Sequence, residues 1–93
     1  MDIELDEAIE TRRVLALMSD ETRAVSWLAI VRRVRQNIKQ YALPMIVTPR
    51  AAMHGAQLLE LGMGVTSVVT STLTRGCTSD VYRKMMDGVE VKV

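Results

Sequence analysis

Thr48-Pro49-Arg50-Ala51 is the segment whose residue types and order point most directly to chemistry. Threonine is a favoured helix cap, because its hydroxyl accepts a bond from a backbone N–H of the first turn. Proline suits the first helical position, where its missing N–H would lack a partner anyway. The pair predicts a helix that starts at Pro49 and puts Arg50 at its second position. A cation gains nothing from the positive end of a helix dipole and is mildly repelled by it. Two readings follow. Arg50 is a solvated first-turn residue, or it serves something outside the helix. In the second reading the ligand is an anion, held by backbone N–H groups together with a guanidinium.

The remaining chemistry-bearing residues offer little. His54 falls one turn from Arg50, on a helix face shared with Gln57 and Leu61. No second histidine exists to complete a metal pair, so His54 reads as a polar surface residue and no metal site is expected. Cys77 is the single cysteine, which excludes an intrachain disulfide and a cysteine-based metal site. Paired with His54 it forms a dyad on paper only. There is no G-x-x-x-x-G-K-[ST] phosphate loop and no apolar strand ending in Asp-Glu for magnesium. No nucleophile sits in a recognisable setting. The chain is therefore not expected to catalyse a reaction alone.

Ninety-three residues bound one small domain, below the size of most complete enzymes. Trp27, Tyr41 and Tyr82 are the only aromatics, so aliphatic side chains and seven methionines must fill the core. The acidic N-terminus lacks signal-peptide features, and no apolar run approaches a membrane span. With one cysteine, these features set a cytoplasmic location as the expectation. The net charge of +1 does not mark the whole chain as a polyanion binder. Local charge is more informative. Asp2, Glu4, Asp6, Glu7, Glu10, Asp20 and Glu21 dominate residues 1–23, whereas Arg32, Arg33, Arg35, Lys39 and Arg50 face no acid within residues 24–50. Neighbouring helices with complementary faces would explain this. A solvated basic face is one alternative and a nucleic-acid contact another.

The elements that must position these residues read as helices, with spans near 4–17, 21–41, 49–61, 66–74 and 80–86. On the first, Ile9, Arg13 and Leu17 fall on one line, with Leu5, Ala8 and Ala16 nearby. The second carries an apolar stripe of Ala24, Trp27, Val31, Val34 and Ile38. Arg35 sits close to that stripe, so its stem should pack. Pro44 breaks the helix, and Met45-Ile46-Val47 is an apolar connector that should lie against something. The third presents a small-residue face of Ala52, Gly55, Ala56 and Leu59, with Gly62 as a left-handed stop. Residues 64–75 also suit a strand by propensity; as a helix, they have Thr66 as cap. Ser79 caps the last helix. Trp27, Val31, Val34, Ile38, Ala52, Ala56 and Leu59 are the expected core.

Several of these segments, in order, resemble one family. Val31-x-x-Val34-Arg35, Ile46-Val47-Thr48-Pro49-Arg50-Ala51, Gly55-Ala56-Gln57-Leu58-Leu59 and Gly62 resemble the C-terminal lid of AAA+ ATPases. The resemblance is to the MoxR and cobalt-chelatase small-subunit branch, including phage-encoded relatives. Asp6-Glu7-Ala8-Ile9-Glu10 resembles the segment that opens that lid, and Leu73-Thr74-Arg75-Gly76 with Asp80 and Met85 its final helices. The resemblance implies an all-α bundle of four to five helices over residues 1–88, with 89–93 as a short tail. It implies that Arg50 is the sensor-2 arginine, which reaches the terminal phosphate of ATP. Thr48, Pro49, Arg50 and Ala51 would then form the lid's nucleotide-facing motif. ATP and magnesium would come only through an ATPase core that this sequence does not contain. The implied partners are that core, neighbouring subunits of a ring and a remodelled protein. The implied role of Arg35 is structural. Gln57 departs from the family, which often has a basic residue there. The alternative function is a small helical module that binds nucleic acid or protein.

Overall fold

The computed structural model describes residues 3–92, with side chains from residue 8 onward. The readings placed on Leu5, on the acids Asp2, Glu4, Asp6 and Glu7, and on Val93 lie outside the described residues or side chains. Five helices follow in order: α1 (Ile3–Leu17), α2 (Glu21–Gln40), α3 (Pro49–Glu60), α4 (Val65–Thr72) and α5 (Ser79–Met85). No strand occurs among the described residues. The ambiguous segment is thus helical, and the protein is an all-α bundle.

Local chemistry sets the boundaries. Asp20 caps α2, accepting a bond from the Arg23 N–H at 3.3 Å. Thr48 caps α3, with its hydroxyl oxygen 3.2 Å from the Ala51 nitrogen. Gly62 stops α3 with φ at 97°, a conformation costly for any residue with a Cβ. Two expected caps are displaced by a residue or two. Gly64, not Thr66, stands at the N-cap of α4, and it has no side chain to bond. Thr66 lies inside the helix, where its carbonyl accepts from the Thr70 hydroxyl. Thr78, not Ser79, caps α5 through the Val81 N–H.

The core forms where α3 packs on α1, α2 and α4, while α2 also carries α1 and α5. Trp27 is fully buried on α2 and donates from Nε1 to the Ala52 carbonyl at 2.8 Å. Its ring lies against Gly55, where an added Cβ would come within 2.2 Å of Cζ2. Ala52, Ala56 and Leu59 are buried beside it. Close packing of α2 on α3 thus depends on the small-residue face of α3.

Three expectations about packing need correction. Ile9, Arg13 and Ala16 are exposed on α1, and the buried line is Glu10, Val14 and Met18. The helix is turned toward a charged partner on α2, described below. Ile38 is only half-buried, because Asn37 takes the interior position. The Asn37 side chain donates to the Met85 and Asp87 carbonyls, both at 2.8 Å. It thereby satisfies two carbonyls at the end of α5 that the helix leaves without partners. The α2–α3 connector does lie against the core through Met45 and Val47, and only Ile46 departs from the expectation, at 82% exposed. Beyond α5, Val89 and Val91 pack back against the core without forming a strand.

Candidate functional site

Arg50 leaves the second position of α3 exposed to solvent. It makes no hydrogen bond or ion pair among the described residues. Packing of α3 on α1 leaves a groove of about 450 Å³ beside it. Arg50, Met53, His54 and Gln57 line one wall; Arg13, Ala16 and Leu17 line the other. Leu17 and Met53 are partly buried against the core and give the groove an apolar floor. Arg13 is exposed and also lacks a described partner. Two guanidiniums without a partner among the described residues, one imidazole and one carboxamide therefore border a single groove. A guanidinium fork matches the geometry of phosphate or carboxylate oxygens, so anion binding is the chemistry this arrangement suits.

Sequence reading found Arg50, His54 and Gln57 on one face but missed Arg13. The signal was masked by placing Arg13 on the apolar line of α1. Leu61, assigned to the same face as His54, is 83% exposed and lies outside the groove lining. Cys77 sits in the α4–α5 connection, with Sγ 3.4 Å from Met85 Sδ. Burial pushes its thiol pKa up, and it lines a different hollow from His54. The paper dyad is not assembled.

Arg32, Arg33 and Arg35 of α2 bond to other elements of the protein, whereas Lys39 is exposed. Arg32 bonds the Thr11 hydroxyl, and Arg33 Nε donates to the Asp87 carbonyl at 3.4 Å. Arg35 forks onto the Glu10 carboxylate, Nη1 at 2.7 Å and Nη2 at 2.5 Å. Between the acid-rich and base-rich stretches, Glu10–Arg35 is the one ion pair among the described residues.

Glu60, the last residue of α3, is tied to Ser19 in the α1–α2 connection. Glu60 accepts from the Ser19 N–H at 3.0 Å and from the Ser19 hydroxyl at 2.9 Å. An acid at a helix C-terminus opposes the dipole, and these donors offset that. They also hold the Glu60 carboxyl below its ordinary pKa. A depressed folded pKa gives stability that is present above the unfolded value, about 4.3, and lost as pH falls through the folded one. Wild type should therefore melt above Glu60→Gln at neutral pH, and that margin should shrink as pH falls from neutrality through about 4.3 and below. Thermal melts of both proteins across that range check this.

Among the described residues, no group of three or more His, Cys, Asp and Glu side chains could hold a metal ion. No described helix is long and apolar enough to cross a membrane. Comparison with protein-family models, curated proteins and solved structures gave no match.

Proposed function

We propose that this chain acts as the lid of a ring-forming, MoxR-like AAA+ ATPase in the cytoplasm, with Arg50 as its sensor-2 arginine. The observation that carries the reading is the state of Arg50. It is exposed at the start of a capped helix, without a described partner, where the dipole gives it no reward. Such a residue is available to a phosphate brought by another surface. Arg13 on the facing wall adds a second guanidinium to the same groove. ATP and magnesium are supplied by the core, and Thr48, Pro49 and Ala51 fix where Arg50 emerges. The lid then couples ATP binding and hydrolysis to contacts between ring subunits and to remodelling of a partner protein.

The test is reconstitution. The chain is combined with a phosphate-loop ATPase core that lacks a lid, in the first instance one encoded beside it. The expected result is a complex whose ATP turnover exceeds that of the core alone. Absence of any complex with such a core would reject the reading. The isolated chain should show no calorimetric heat of ATP binding at micromolar concentration. Two arginines on an open groove do not enclose a nucleotide or repay its lost freedom. Micromolar affinity of the isolated chain would mean a self-sufficient nucleotide site instead.

One feature favours the runner-up, a helical binding module. Ile46 and Leu61 are 82% and 83% exposed near the two ends of α3. Loss of binding to a protein partner on Ile46→Ser or Leu61→Ser, with ATP turnover unaffected, would favour that module.

A further inference from the structure

Glu10 is the one buried carboxylate among the described residues, with a fully buried side chain. Its partner, Arg35, is still 22% exposed. Removing such a pair from water is costly, and well-packed apolar residues often do as well or better. Stability alone is a poor reason for it. The third nitrogen of Arg35 suggests another. Nε donates to the Val47 carbonyl at 3.0 Å, so one planar guanidinium joins α1, α2 and the connector.

The position of that carbonyl matters. Val47 is buried and immediately precedes the α3 cap. Its carbonyl and the Thr48 N–H belong to one rigid peptide plane, so holding the oxygen sets the direction in which Thr48 enters the helix. Thr48 then fixes the first turn twice, through its hydroxyl to Ala51 N–H and its carbonyl to Ala52 N–H. Arg50 is carried within that turn. The second anchor, Trp27 Nε1 on the Ala52 carbonyl, lies deeper in the same helix.

We infer that Arg35 is the positioning residue of Arg50, and that Glu10 couples this positioning to α1. Arg35 touches no ligand. It orients the entry peptide of α3, and a displacement of α1 that pulls Glu10 away releases that peptide. The wall of the groove that holds Arg13 and the wall that holds Arg50 are thereby linked through the interior. The relevance of this coupling to ATP rests on the lid reading; the coupling itself does not.

Amide hydrogen exchange by NMR on the full chain tests it without any ATPase core. Arg35→Lys keeps the charge and can pair with Glu10. A single ammonium cannot fork onto the carboxylate and hold the Val47 carbonyl with the same geometry. Glu10→Gln keeps the volume and breaks the charge pair. Both variants should speed exchange at Ala51 and Ala52 by about tenfold relative to Leu28 and Val31 of α2. Trp27→Phe, which removes the other anchor, should accelerate α2 and α3 together. Uniform acceleration in Arg35→Lys would make the arginine an ordinary stabilising residue and overturn the inference. So would unchanged exchange at Ala51 and Ala52. A local effect in Arg35→Lys but none in Glu10→Gln would overturn the coupling to α1. Each of these failures leaves the reconstitution test of the lid reading untouched.

Discussion

Replacing Arg50 with alanine should lower the ATP turnover of a reconstituted lid–core assembly by about 10- to 1000-fold, the usual cost of losing one charge-stabilising contact to a transferring group. The same change should leave the isolated chain nearly as stable as before. Arg50 is exposed and unpaired among the described residues, and substitutions at such positions usually stay within about 0.5 kcal/mol. The two measurements must be made together. Lost turnover with an unchanged melting curve is the signature of a residue that works across an interface. Unfolding by Arg50→Ala would place the arginine in the structure and defeat the sensor reading. If neither quantity moves, the groove is not the working site. Arg13→Ala supplies a graded comparison, because Arg13 shares the groove but not the helix start. A smaller loss is expected from it.

The largest effect on stability should come from Gly55→Ala. Alanine is the better helix former by about 1 kcal/mol, so propensity alone predicts a gain. The added Cβ would lie 2.2 Å from Cζ2 of Trp27. The indole is rigid, fully buried and held by its bond to the Ala52 carbonyl, so it has little room to yield. Overpacking of this kind costs about 1–3 kcal/mol and should outweigh the gain in propensity. For a domain of this size each kcal/mol shifts the melting temperature by about 4–8 °C. A double-mutant cycle checks the cause. Gly55→Ala should cost much less in a Trp27→Phe background, where the conflicting ring atom is gone. An equal cost in both backgrounds would show that the contact is not the reason.

What was legible in the sequence was whatever neighbouring residues decide together. Thr48-Pro49 and Gly62 mark helix ends through bonds and dihedral angles that span only a few residues, and both were read correctly. The α2 stripe was legible because its spacing repeats, and the small-residue face of α3 because its members are close in the chain. The errors arose where a distant partner decides. Glu10 looks like a surface acid until Arg35, far along the chain, turns α1 and buries it. The same rotation carries Ile9 and Arg13 outward, which hid Arg13 as a groove residue. Asn37 displaces Ile38 from the interior because the end of α5 offers it two carbonyls. At α4 the cap moved to Gly64, a position with no side-chain signal to read. The groove needed both helices in place, so sequence offered only one of its walls.

The chain contains a single tryptophan, and its setting makes it an optical gauge. Trp27 reports on the seam where its indole meets Gly55 and bonds the Ala52 carbonyl. Its emission will shift to the red when α3 moves off α2 and will stay constant when the whole bundle swings as one body. Intrinsic fluorescence recorded as a partner is added can therefore separate rigid swinging of the bundle from internal rearrangement, with no dye attached and no residue replaced.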